Sequence, residues 1–279
     1  MKLFLTDLDG TLLNHQGTLS DSGRTRLKQL LESGLPFSIA TARGWPGAKR
    51  ALGELDIRLP IIVRNGAFIV DYASGDILAG NLMGASLARE VVDFFRTKNT
   101  TPAIAVFQDG KESMYGEPPE NRCMETYAKM RAHYGSPSWT EVPSLEPYLE
   151  HPVAQFNVID EGSTILHFRD MLAEAFGEKV QLHTYENILK PGWRMLSILS
   201  AEATKGVAAR WLLDHMTLPV QSLTAFGDNY NDMSMLEIAG KAVAVGNAQP
   251  AIQRLAHTVL RYGVEDEVIN YMEEVWEEA

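Results

Sequence analysis

The apolar run Lys2-Leu3-Phe4-Leu5-Thr6 leads straight into Asp7-Leu8-Asp9-Gly10-Thr11, and no other stretch constrains the fold as much. A short apolar run closed by a glycine reads as a buried β-strand, so both aspartates sit at or just past its carboxyl end. In open α/β sheets that edge is where ligands bind. Two carboxylates one residue apart are costly to desolvate there unless a cation compensates them. Asp-Gly also favours turns, so a plain turn or N-cap pair is the alternative reading.

Four more runs have the same character: Phe37–Ala40, Ile61–Val63, Leu223–Phe226 and Ala242–Val245. Between the first two strands, Leu27, Leu30 and Leu31 recur at helical spacing within Ser20–Ser33, and Gly34 caps the end. Thr204 can N-cap a helix over Lys205–Met216, with Val207, Ala208, Trp211, Leu212 and Met216 as its apolar stripe. Strands alternating with helices predict an α/β fold, a doubly wound parallel sheet covered on both faces.

The middle of the chain has another rhythm. It predicts helices over Ser86–Lys98, Asn121–Tyr134 and Thr164–Phe176, and strands over Ala103–Gln108 and Ser113–Glu117. Further strands fall at Ala154–Ile159, Val180–Tyr185 and Met195–Leu199, and Ser136-Pro137 to Pro152 reads as a Pro-rich connector. Such mixing predicts a separate α+β domain, 81–198, inserted into a core of 1–80 and 199–279. The crossings near Gly80 and Ser200 are candidate hinges.

Composition removes several classes of function. A net charge of −11 argues against nucleic acid or an anionic membrane as partner, since both need clustered Lys and Arg. It does not bar a small anion, because a local cation and a lysine can outweigh the global field. Cys123 is the one cysteine, so no intramolecular disulfide can form, which suits a reducing cytoplasm. It reads as a small apolar side chain on a helix. No apolar run approaches the ~20 residues that span a bilayer. Met1-Lys2-Leu3-Phe4-Leu5 is too short for a signal peptide, so a cytoplasmic location is expected. The seven histidines show no ligand spacing for zinc, and Gly227-Asp228-Asn229 lacks the spaced glycines of a dinucleotide site. The acidic end around Glu273–Glu278 reads as the solvated face of a terminal helix, with Trp276 turned inward.

Asp7-Leu8-Asp9-Gly10-Thr11-Leu12-Leu13 resembles the first motif of the haloacid dehalogenase-like superfamily. Three other signatures follow in that family's order. They are Thr41-Ala42-Arg43 after a strand, Lys205-Gly206 opening a helix, and Gly227-Asp228-Asn229-Tyr230-Asn231-Asp232 after another strand. Together with Asn65-Gly66-Ala67 after Ile61–Val63, the set resembles the Cof-type subfamily of sugar-phosphate phosphatases, in which the inserted domain is a cap. The likeness runs from Met1 to about Gly246. Two departures stand out: Ala42 replaces a usual glycine, and Leu196-Ser197-Ile198-Leu199 lacks an acidic residue usual before the lysine.

The resemblance implies a Mg²⁺-dependent phosphatase of small phosphorylated metabolites that works through an aspartyl-phosphate. Asp7 is then the nucleophile and a metal ligand, with Asp9 binding by its backbone carbonyl and Asp228 as the third ligand. The Asp9 carboxylate is left free for proton transfer, first to the leaving alkoxide and then from the attacking water. Thr41, the Ala42 N–H, Lys205 and Asn231 are expected to hold the phosphate. Asp232 orients either Asp228 or a metal-bound water. Thr11 either holds Asp9 or ends the turn, and Arg43 either clamps substrate or pairs with an acidic neighbour. Asn65-Gly66 is either a plain turn or the mouth of the site. A phosphomutase or phosphotransferase with the same intermediate, and a non-catalytic phospho-ligand sensor, are the alternatives. The sensor would be expected to lose Asp7 or Asp9. Arg122, Tyr127, His183 and Tyr185 are candidates for contacts to the rest of the substrate, whose identity the sequence does not give.

Overall fold

Leu3, Phe4 and Leu5 are wholly buried, on both faces of a strand that lies inside a sheet rather than at its edge. The computed structural model describes residues 2–108, 110–119, 121–133, 140–186, 190–261, 263 and 266–277. In chain order these form β1 (Leu3–Thr6), α1 (Asp21–Glu32), β2 (Phe37–Ile39), α2 (Trp45–Leu52), β3 (Ile61–Val63), β4 (Phe68–Val70) and β5 (Ile77–Gly80). Next come α3 (Ala85–Arg96), β6 (Ala103–Gln108), β7 (Lys111–Gly116), α4 (Arg122–His133), β8 (Thr140–Glu141), β9 (Val153–Glu161), α5 (Gly162–Phe176), β10 (Val180–Glu186) and β11 (Trp193–Ser200). The last stretch holds α6 (Lys205–His215), β12 (Leu223–Gly227), α7 (Met233–Ile238), β13 (Lys241–Ala244), α8 (Pro250–Leu255), β14 (Thr258–Val259) and α9 (Glu267–Glu277). The chain divides into two compact units, Met1–Ala79 with Thr204–Ala279, and Gly80–Ala203.

The first unit is built on a parallel sheet of order β14-β13-β12-β1-β2, and Ala40 bridges onward to Ile62 of β3. The chain runs outward from β1 through β2 and β3. It then returns to the other side of β1 at β12 and runs out through β13 and β14. The direction of winding therefore reverses between β1 and β12, the place where α/β sheets open a crevice at their carboxyl ends. Thr6 lies level with Phe226, and the Asp7 N–H donates to the Phe226 carbonyl. Asp7 and Asp228 thus leave the sheet side by side.

The helices of this unit follow their caps, with one shift of phase. The Ser20 side chain accepts from the Gly23 N–H, and Leu27, Leu30 and Leu31 bury the inner face of α1. In α9 the inward packing comes from Val268, Ile269 and Met272. Trp276 is half-buried and donates its Nε1–H to Ser33 Oγ, so it is not the anchor expected; Glu278 lies outside the described residues. The Thr204 side chain caps α6 by accepting from the Val207 N–H. The buried face of α6 shares only Ala208 and Leu212 with the predicted stripe. It holds Lys205, Ala208, Ala209, Leu212 and Leu213, while Trp211 stacks on His215 at 4.9 Å and is only half-buried. Positions 205, 208, 209 and 212 follow the helical repeat, so the lysine itself belongs to the inner stripe.

The second unit is a six-stranded sheet of order β10-β11-β9-β6-β7-β8, antiparallel apart from the β7–β8 pair. Val91, Val92 and Phe95 of α3 and Ile165, Phe168 and Leu172 of α5 pack with Ile104, Phe156, Val158, Leu196 and Ile198. Cys123 and Met124 of α4 form a smaller cluster with Ala103, Ile159 and Trp193. The connector expected over 136–152 carries structure where it is described, the strand β8 and a 3₁₀ turn at Glu146–Glu150. Tyr134, Ser136 and Pro137 lie outside the described residues. Among the described residues no helix is long and apolar enough to cross a membrane.

Candidate active site

The loop after β1 turns sharply at Gly10, where φ is +84° and an added Cβ would lie 2.6 Å from Asp228 Oδ2. Only glycine meets both demands, a left-handed backbone and room for that carboxylate. One residue on, Thr11 Oγ1 donates to Asp228 Oδ1 at 3.0 Å. The hydroxyl therefore holds Asp228, a partner 217 positions away, and not Asp9.

Asp228 and Asp232 both follow the end of β12. Both Asp232 oxygens are occupied: Oδ2 accepts from the N–H groups of Asp228 and Asn229 at 2.9 and 3.0 Å, and Oδ1 from Lys205 Nζ at 2.5 Å. Asp232 thus orients the backbone that carries Asp228. Lys205 is fully buried and its ammonium also donates to Asp7 Oδ1 at 2.5 Å. A lysine at the first turn of a helix is unfavourable against the helix dipole, so its two carboxylate partners explain its place.

Asp7, Asp228 and Asp232 bring carboxylate oxygens within 4.8 Å of one another. Three acids here face one ammonium, which leaves an excess of buried negative charge. Burial lifts the Asp7 carboxyl well above the usual carboxylate range; Lys205 opposes this, and the charges of Asp232 and Asp228 add to it. Burial, then the Asp232 charge, pushes Asp228 up to about 6. For Lys205, burial disfavours the ammonium, but Asp232 and Asp7 together outweigh it and hold the proton more tightly than in an ordinary lysine. An all-oxygen donor set with surplus negative charge fits a hard divalent cation. The seven histidines contribute nothing to it among the described residues.

The segment after β2 supplies the facing groups. Ala40 donates its N–H to the Thr6 carbonyl, which sets Thr41, Ala42 and Arg43 beside the loop of Asp7. Thr41 is buried and its Oγ1 accepts from the Arg43 N–H at 3.1 Å. Arg43 forks onto Asp9, Nε to Oδ2 at 2.7 Å and a terminal nitrogen to Oδ1 at 2.5 Å. In this arrangement the Asp9 carboxylate is paired with Arg43, and of the two readings of Arg43 the structure has the acidic neighbour. Asn231 reaches across to Asn65, Nδ2 to Oδ1 at 3.0 Å, a partner sequence reading did not assign. The only local signal for it was a buried-type strand ending in Asn-Gly. Arg122 is exposed and Tyr127 half-buried on α4, whereas His183 and Tyr185 sit 6.4 Å apart on β10.

A family model described as haloacid dehalogenase-like hydrolase matches residues 4–272. Phosphatase YwpJ of Bacillus subtilis is 27% identical over 274 residues, covering 93% of this chain and 94% of its own. Pyridoxal phosphate phosphatase YbhA of Escherichia coli is 24% identical and covers 97% of each chain. A solved haloacid dehalogenase-like hydrolase from B. subtilis superposes with a TM-score of 0.77 over 99% of this chain and 100% of that one, at 23% identity.

Proposed function

This chain belongs to the haloacid dehalogenase-like hydrolases, and from that membership we propose that it is a Mg²⁺-dependent phosphatase of small phosphomonoesters, sugar phosphates among them. The observation that carries the reading is Asp7, buried at the switch point between β1 and β12 with its oxygen on the Lys205 ammonium. Asp7, Asp228 and the Asp9 carbonyl would hold the ion, which supplies a Lewis acid that neutralises charge on the phosphoryl group. Relatives named as phosphatases, one of them for pyridoxal phosphate, support a small phosphorylated metabolite as substrate.

In the first step an Asp7 oxygen bonds to phosphorus, the ester P–O bond breaks, and Asp9 gives the departing alkoxide its proton. In the second, water bonds to phosphorus, the P–O bond to Asp7 breaks, and Asp9 takes the water's proton, releasing inorganic phosphate. The Arg43 fork has to slide or open for Asp9 to act. Thr41, the Ala42 N–H, Lys205 and Asn231 position the phosphoryl oxygens, which is most of what such a transfer requires. The unit Gly80–Ala203 is the cap that selects the leaving group, and the cytoplasm suits a chain with one cysteine.

Phosphate release from a panel of sugar phosphates, nucleotides and pyridoxal phosphate, with and without Mg²⁺, tests the activity. Asp7→Asn keeps the volume, removes the nucleophile, and should leave a folded protein without turnover. Wild-type kcat in that variant would refute the covalent route.

A further inference from the structure

Three successive residues after β3 lie in the left-handed region, Arg64 at φ 52°, Asn65 at 54° and Gly66 at 99°. Two of them carry side chains, and such conformations persist only where the surroundings over-determine them. The turn is also buried, with Asn65 at 3% exposure. A hairpin turn leading into β4 needs neither strain nor burial, so the turn serves something other than reversal of the chain.

Its contacts say what. The Arg64 N–H donates to the Arg43 carbonyl at 3.0 Å and the Asn65 N–H to the Thr41 carbonyl at 2.9 Å. Gly66 lies so close to the cap of α6 that a Cβ would fall 2.2 Å from the Thr204 carbonyl oxygen, next to Lys205. The Asn65 side chain takes one N–H of the Asn231 carboxamide at 3.0 Å. One turn therefore braces the segments of Thr41, Lys205 and Asn231, which come from three distant parts of the sequence.

We propose that Asn65 is a positioning residue for phosphate recognition, aligning the Asn231 carboxamide so that its second N–H points to a phosphoryl oxygen. An amide nitrogen has two donors, and the bond to Asn65 fixes the plane in which the other lies. This rests on the phosphatase reading given above. Asn65 accepts from Asn231 and touches no substrate atom itself; its left-handed backbone is what turns Oδ1 toward Asn231.

Competitive inhibition by inorganic phosphate, with p-nitrophenyl phosphate as substrate and Mg²⁺ present, provides the test. Asn65→Gly keeps the backbone conformation and deletes the acceptor. It should raise the inhibition constant and KM about tenfold, matching Asn231→Ala, and the double variant should be no worse than either alone. Asn65→Ala deletes the same acceptor and supplies a second cycle with Asn231→Ala if Asn65→Gly does not fold. Additive losses in the double variant of the cycle that folds would overturn the positioning role. No turnover in the wild type would overturn the phosphatase reading instead.

Discussion

Each unit buries a polar cluster, the first just past the carboxyl ends of its central strands and the second on the strands themselves, and the two clusters are opposite in kind. In the first unit Asp7, Asp232 and Lys205 are charged and almost completely buried, with Asp228 at their edge. In the second, Gln155, Asn157 and Ser197 are neutral and equally buried, joined by hydrogen bonds of 2.7 to 2.8 Å. In the neutral cluster Asn157 Nδ2 has no hydrogen-bond partner among the described residues. The charged one does not balance, since three acids share one base. A folded chain keeps such an imbalance where chemistry needs it, because uncompensated buried charge works against stability.

The largest effect should come from Lys205→Met. Without its ammonium, Asp7 and Asp232 face each other in a dry site, and loss of one partner of a buried pair costs about 3–5 kcal/mol. Thermal melting at pH 7.5 should show a fall on the order of 10 °C in the transition of the first unit, with activity lost. Lowering the pH should narrow that gap as Asp7 takes up a proton. A melting temperature unchanged at neutral pH would mean that the charged cluster is not strained, and the contrast between the two units would fail.

Asp228→Asn should act in the other direction on metal-free protein. With EDTA present, the native Asp228 carboxyl titrates near 6 against an ordinary value of 3.8. Between those values the native state binds more protons than the unfolded chain, so stability falls as pH rises and the full cost stands above about 6. Replacing the acid removes that cost, a gain on the order of 2 kcal/mol at pH 8 that shrinks below pH 6 and is gone near pH 4. Denaturant unfolding at pH 8 and pH 4.5 measures it, and Thr11 can still donate to the asparagine oxygen. A variant less stable than wild type at pH 8 would show that Asp228 is not held against its own charge.

How much of this could be read from sequence depends on the range of the interaction. The strand of Leu3–Thr6, the cap Thr204 and the strands around 37, 61 and 223 carry local signals, and the structure has them. Helix α2 carries little: its cap is Gly44 with no side-chain bond, and its buried residues are Ala48, Ala51 and Leu52. The strands β4 and β5 are three and four residues long and escape any period. In α6 Ala208 and Leu212 are buried as the spacing suggests, but Val207, Trp211 and Met216 are only half-buried, because the inner face also takes Lys205 to its carboxylate partners. The site behaves likewise. Motifs name Asp7, Asp9, Lys205 and Asp228, but the pairings Thr11–Asp228, Arg43–Asp9 and Asn65–Asn231 join residues far apart in the chain. Side-chain partners at such separations leave no mark on local spacing.

The smallest effect belongs to the neutral cluster. Ser197 Oγ accepts from Gln155 Nε2 and donates to Asn157 Oδ1, both at 2.8 Å. When the hydroxyl is removed, one Gln155 N–H keeps its bond to Asn157 Oδ1 at 2.7 Å, while the other loses the Ser197 acceptor. Ser197→Ala should therefore cost about 1 kcal/mol or slightly more, the low end of the cost of a buried neutral donor losing its acceptor. Melting of the second unit should shift by a few degrees at most, and kcat for p-nitrophenyl phosphate should stay within twofold of wild type. A shift as large as that of Lys205→Met would make the neutral cluster as critical as the charged one. A large loss of sugar-phosphate turnover at unchanged melting temperature would give the cluster a part in substrate choice, and the division between a charged working site and a neutral scaffold would have to be redrawn.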